Sequence, residues 1–220
     1  MARVIGGLDA ARVRENAERI RERIAAAARE AGRDPGAVEL LAAVKYVPLE
    51  ELGVLAEAGV TLVGENRAQD LQAKAQAHPG VFRWHFIGQL QSRKVKDLVG
   101  HVELIHSVAS DSALRRLEQH GTPETRVLVE VDVAGEEGKA GVRPAELGDF
   151  IARCPVTVAG LMTMPPYASE PEASRPHFAA LRELAREHGL HHLSMGTSQD
   201  YAVAAAEGAT IVRVGSLLYA

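Results

Sequence analysis

Lys45 closes the apolar run Val38-Glu39-Leu40-Leu41-Ala42-Ala43-Val44, a place where a lysine is costly without a task. Desolvation there would lower its pKa and free the amine as a nucleophile for Schiff-base chemistry. The other open reading is a side chain snorkelling to solvent from a strand end. A second group lies far along the chain. Ser194-Met195-Gly196-Thr197-Ser198 sets three hydroxyls around a glycine just before a helix, a composition suited to a phosphate. Ser198 could equally be the plain N-cap of a helix beginning at Gln199. Gly215-Ser216 adds further donors. Arg213 reads either as a cation aimed at a ring nitrogen or anion, or as an outward arginine paired with a carboxylate. An amine facing a phosphate cradle implies a phosphorylated carbonyl compound. Two ligand classes fit: a sugar phosphate held as in a class I aldolase, or pyridoxal 5′-phosphate (PLP).

Other polar positions carry less. His85 in Trp84-His85-Phe86 is either a ligand contact or a hydrogen-bonded core histidine. His191-His192 has no third ligand at metal spacing, so no metal is expected. Arg93-Lys94-Val95-Lys96 reads as a solvated helix face. The single cysteine, Cys154, excludes an intramolecular disulfide and is expected to be inert in a reducing cytoplasm. Aromatics at 4% and a net charge of −4 argue against a nucleic-acid partner. The charged N-terminal segment has no apolar signal region, and no apolar run approaches the roughly 18 residues of a membrane span.

These residues need a frame. Val13, Ala17, Ile20, Ile24 and Ala28 recur at spacings of three and four, which predicts an amphipathic helix over 8–32. Strands are then expected at 38–44, 60–63, 82–87, 102–106, 126–132, 156–161, 191–194 and 210–214. Helices are expected between them at 48–58, 66–76, 92–99, 111–119, 144–152, 172–188 and 199–207. Eight strands alternating with helices predict an α/β chain of one domain, residues 1–220, closed as a (β/α)8 TIM barrel. No helix follows the eighth strand, so helix 8–32 is expected to pack as the closing one. Lys45, the 194–198 loop and Gly215-Ser216 then all fall at the C-terminal ends of strands, where barrel sites lie.

At these residues the sequence resembles the YggS/PROSC-type pyridoxal phosphate homeostasis proteins. The matching stretches are Ala42–Pro48 around the lysine, Gly64-Glu65-Asn66-Arg67 and Trp84–Gln91. Further along they are Val131-Asp132-Val133 with Glu136-Glu137 and Lys139-Ala140-Gly141, Gly160–Met164, Ser194–Asp200 and Val212–Gly215. The resemblance implies a fold like the alanine racemase N-terminal domain, with PLP held as a Schiff base on Lys45. It implies that Ser194, Gly196, Gly215 and Ser216 hold the phosphate and that Arg213 meets the pyridine nitrogen. Asn66 and Met162 would line the cofactor. Arg93, Asp132, Thr197 and Val44 depart from the residues usual in the family, at positions beside those contacts.

The function so implied is buffering and delivery of PLP in the cytoplasm, without catalysis, by a monomer or weak dimer whose recipients are PLP-dependent apoenzymes. A racemase of related fold needs a second domain to supply a tyrosine, and these 220 residues are expected to hold none. The alternative is a small PLP-dependent amino-acid racemase or lyase with Tyr46 or His85 as acid/base.

Overall fold

A computed structural model describes residues 4–136 and 138–220. Glu137 of the Glu136-Glu137 motif lies outside the described residues, as do the first three residues of the N-terminal segment. The strands are β1 Glu39–Ala43, β2 Leu62–Glu65, β3 Arg83–Phe86, β4 Leu104–Val108, β5 Arg126–Glu130, β6 Thr157–Met162, β7 His192–Thr197 and β8 Ile211–Val214. The helices are α1 Ala10–Glu30, α2 Leu52–Glu57, α3 Ala68–Ala77, α4 Val95–Leu98, α5 Asp111–His120, α6 Leu147–Ala152, α7 Arg175–Glu187 and α8 Tyr201–Glu207. The strands form one closed parallel barrel in chain order. β8 returns to β1, with Glu39 opposite Ile211 and Ala42 opposite Val214. The expected fold class is therefore observed.

α1 has the predicted stripe: Val13, Ala17, Ile20, Ile24 and Ala28 are buried. It packs against α8 and α2 and so takes the place that a helix after β8 would occupy. Asn16 interrupts the apolar stripe, and its amide donates to the carbonyls of Leu218 (3.2 Å) and Ala220 (3.0 Å). The same helix that closes the barrel thus ties down the segment after β8.

Successive strand residues face opposite sides. One set packs under the helices; the other fills the barrel with Leu41, Leu62, Leu104, Leu128, Ala159, Met162 and Ile211. Two residues beyond Leu104 and Ile211, on the same inward face, stand the buried His106 and Arg213. His85 and Ser194 are buried as well.

Boundaries shifted where local hydrogen bonding competed with periodicity. β7 runs on to Thr197, three residues past the expected end. α8 starts at Tyr201 rather than Gln199, because the Asp200 carboxylate accepts from the Thr197 N–H at 2.7 Å and from its hydroxyl at 3.1 Å. Ser198 is therefore no helix cap. The expected helices at 48–58, 92–99, 144–152 and 172–188 each begin with a 3-10 turn.

Candidate functional site

A cavity of about 1110 Å³ opens among the loops that follow the strands. Its walls are Ala43, Lys45 and Tyr46 after β1, Asn66 after β2, and Ile87, Gly88 and Gln89 after β3. Met164 follows β6, Thr197-Ser198-Gln199 close β7, and Arg213, Gly215, Ser216 and Tyr219 belong to β8 and the chain end. The N-terminal segment completes the wall through Val4, Ile5 and Gly6. That segment is held by the Ile5 N–H on the Tyr46 carbonyl (2.9 Å) and by Glu51, which accepts from the N–H groups of Gly7 and Leu8.

Lys45 is the one lysine lining the cavity among the described residues. Its side chain is exposed, so of the two readings left open for it the amine reaching solvent from the strand end is the one found, and the desolvated amine is not. β1 stops at Ala43, so Lys45 leaves from the turn beyond the strand, with Nζ 5.0 Å from the Tyr46 ring centroid. Asn66 follows a buried ion pair. Glu65 is fully buried, and its Oε2 lies 2.6 Å from Lys74 Nζ on α3. Lys74 also donates to the carbonyl of Val44 at 2.8 Å, and Glu65 Oε1 accepts from the Asn66 N–H at 2.7 Å. One pair thereby ties the backbone beside Lys45 to the backbone of Asn66. Removing one member strands the other charge in the interior. Lys74→Met is expected to cost about 3–5 kcal/mol, a fall in Tm on the order of 10 °C for a chain of this size. Adding Glu65→Gln should recover part of it; thermal unfolding of both variants checks this, and an unchanged Tm would refute it.

Arg213 is buried under the cavity floor. Nη1 donates to Ser194 Oγ and Nη2 to the Thr163 carbonyl at 3.0 Å, and Nε meets no acceptor among the described residues. Burial draws its pKa down to about 10, opposed by Glu130 and Asp200. Arg213 therefore faces inward; the outward, strand-end pairing does not occur.

The two loops that were expected to cradle a phosphate do meet. Ser198 Oγ accepts from the Gly215 N–H at 3.1 Å, linking the ends of β7 and β8. The N–H groups of Ser198, Gln199 and Ser216 find no acceptor among the described residues, and all three residues line the cavity.

Three expected contacts are placed elsewhere. Ser194 is fully buried between Arg213 and His106, since β7 continues past it and carries the loop onward to Thr197. Met162 faces the apolar filling of the barrel, and Met164, two residues on, lines the cavity instead. Gly196 has φ of +89°, and a Cβ there would lie 2.5 Å from Ala204 Cβ; the glycine serves the packing of α8. His85 is a core histidine, its Nδ1 2.9 Å from His106 Nε2, with burial drawing its pKa to about 3. It is thereby removed as an acid/base candidate at the mouth.

The departures from the family pattern have local partners. Asp132 accepts from the Gly135 N–H at 3.0 Å, Thr197 bonds Asp200, and Arg93 bonds Gln91 at the surface. Gln89, Gln199 and Tyr219 were missed because nothing in their spacing marks them. Tyr219 reaches the mouth only because α1 ties the chain end, and its hydroxyl donates to the Ala43 carbonyl at 3.3 Å. No group of His, Cys, Asp and Glu placed to hold a metal, and no helix long and apolar enough to cross a membrane, occurs among the described residues.

Residues 8–220 match the family described as alanine racemase, N-terminal domain. A pyridoxal phosphate homeostasis protein of Aquifex aeolicus is 44% identical over 220 residues, covering 93% of this chain and 96% of its own. One from Pseudomonas aeruginosa is 37% identical, covering 94% of both. Among solved structures, PipY of Synechococcus elongatus with PLP bound is 30% identical with a TM-score of 0.78, covering 94% of this chain and all of its own. Alanine racemase from Corynebacterium glutamicum, 19% identical with a TM-score of 0.68, shares the fold over 99% of this chain and 63% of its own. By sequence over nearly its whole length and by its closed barrel, the chain belongs to the pyridoxal phosphate homeostasis protein family.

Proposed function

We propose that residues 1–220 act as one domain that holds PLP in the barrel mouth, covalently on Lys45, and buffers and delivers it to PLP-dependent apoenzymes without catalysing a reaction of its own. The observation that carries this reading is one cavity shared by the Lys45 amine, Arg213 and the N–H groups of Ser198, Gln199 and Ser216, which find no acceptor among the described residues. When bound, PLP would supply a reactive aldehyde, and the Lys45 amine would be the group that holds it. Ser198, Gln199 and Ser216 would hold the phosphate, with Gly215 fixing their loop through Ser198. Arg213, a donor with no acceptor capacity, would meet the ring nitrogen and keep it unprotonated, the poorer electron sink. Asn66, whose backbone the Glu65–Lys74 pair ties to the Val44 carbonyl next to Lys45, would flank the ring. The relatives named for PLP homeostasis and PipY with PLP bound support the same reading.

The test is an absorbance spectrum of the purified chain before and after borohydride, with the reduced adduct mapped by mass. A band that bleaches, with the adduct on Lys45, is expected; an adduct on another lysine overturns the assignment. Trapping of a sugar phosphate with no visible band would indicate an aldolase. Tyr46 at the mouth beside Lys45 favours one second reading, a small racemase or lyase with Tyr46 as acid/base. Solvent deuterium entering Cα across a panel of amino acids would support that reading. No exchange in any of them supports the carrier.

A further inference from the structure

We propose that His85, His106 and Ser194 form a one-way hydrogen-bond relay through the barrel that holds Arg213 in place for the cofactor, so that Ser194 and His106 are positioning residues. The proposal rests on the reading of the mouth as a PLP site.

The relay crosses four strands. Arg213 on β8 donates through Nη1 to Ser194 Oγ on β7. Ser194 Oγ lies 2.8 Å from Nδ1 of His106 on β4. Nε2 of His106 lies 2.9 Å from Nδ1 of His85 on β3. Nε2 of His85 lies 3.7 Å from the Glu103 carboxylate, which is half exposed just before β4. His85, His106, Ser194 and Arg213 are all buried.

The two ends dictate its direction. Arg213 can only donate, so the Ser194 oxygen accepts from it. If His106 also donated to that oxygen, the serine hydroxyl would be left buried without an acceptor, a cost of roughly 1–3 kcal/mol. The hydroxyl therefore donates to His106 Nδ1. A neutral imidazole carries one proton, which then sits on His106 Nε2 and is donated to His85 Nδ1. The proton of His85 is left on Nε2, facing Glu103. Reversing the chain would strand the serine proton at one end and turn a bare imidazole lone pair toward a carboxylate at the other. Both ends select the same order, and both histidines are Nε2–H tautomers. Burial, which holds both imidazoles uncharged, keeps the order intact.

The consequence reaches the mouth. Arg213 has its two terminal nitrogens held, one by the relay and one by the Thr163 carbonyl, and its Nε meets no acceptor among the described residues. Without the serine the guanidinium loses one of its two anchors and is free to turn.

Long-range proton–nitrogen NMR spectra of the 15N-labelled full chain, assigned with His85→Gln and His106→Gln, read the tautomers directly and without PLP. Protons on Nε2 of both histidines are expected; a proton on Nδ1 of either overturns the relay. In Ser194→Ala, His106 Nδ1 should shift toward an unbonded nitrogen. PLP retention should weaken about tenfold, the loss of one charge-assisted hydrogen bond, and the absorption band should move, while borohydride still labels Lys45. Ser194→Thr, which keeps the hydroxyl, should restore the band. A Ser194→Ala chain with unchanged band and retention overturns the positioning role and leaves the PLP reading standing. A wild-type chain that takes up no PLP overturns both, and is recognised by the missing band before any substitution is made.

Discussion

Lys45→Ala is expected to abolish covalent retention of PLP: no visible band, no borohydride-dependent mass shift, and, with both chains free of PLP, no change in thermal stability beyond experimental scatter. The stability expectation follows from the exposed position of the side chain, which packs against little beyond the Tyr46 ring. Lys45→Arg separates charge from nucleophilicity. It keeps the cation at the mouth, but a guanidinium is not deprotonated in proteins and cannot condense with an aldehyde. Both variants should therefore lose the band equally, while the phosphate contacts proposed at Ser198, Gln199 and Ser216 should still hold PLP reversibly. Equilibrium dialysis measures that residual binding. A band of wild-type intensity in Lys45→Arg would mean that another amine carries the cofactor.

The second large effect is acid instability well above the carboxylate range. Burial holds His85 neutral down to about pH 3, and holds His106, which also faces His85 and Arg213, neutral well below its ordinary range. Above about pH 6.5 both are uncharged whether the chain is folded or not, so they contribute nothing to pH dependence. As the pH falls below that value, only the unfolded chain takes up the protons. Stability then falls by roughly 1.4 kcal/mol per pH unit for each histidine. For His85 alone the loss is on the order of 5 kcal/mol by the time its folded pKa is reached. That is comparable with the whole stability of many proteins. Glu130, whose carboxyl burial pushes up, works in the opposite sense. Denaturant unfolding between pH 6.5 and 5.5 should show an average slope of about one and a half protons from these two histidines, with His192 adding in the same sense, and about three-quarters of a proton less in His85→Gln. A flat profile across that interval would refute the account.

The eight strands and the closing role of α1 were legible because apolar runs and the three–four spacing of Val13, Ala17, Ile20, Ile24 and Ala28 are local signals. Lys45, Arg213 and Ser216 could be singled out for a related reason: a polar residue ending an apolar run is conspicuous. What that reading could not supply was direction. Ser194 and Met162 looked like wall residues, but strand register and the continuation of β7 turn them into the barrel, where they support Arg213 and fill the core.

The residues missed share a cause. Lys74 looks like any helix-surface lysine until the fold brings it to Glu65 and the Val44 carbonyl. His106 sits in an unremarkable stretch until β3, β4 and β7 place it between His85 and Ser194. Tyr219 becomes part of the mouth where Asn16, some two hundred residues away in the chain, bonds the carbonyls of its neighbours Leu218 and Ala220. The sequence by itself determined the architecture and singled out Lys45 as the candidate amine, because periodicity and chemical type are properties of neighbouring residues. Which polar groups face the cavity and which hold one another beneath it was decided only by the closed barrel. Burial and hydrogen-bond partnership there are set between strands that the chain does not join directly.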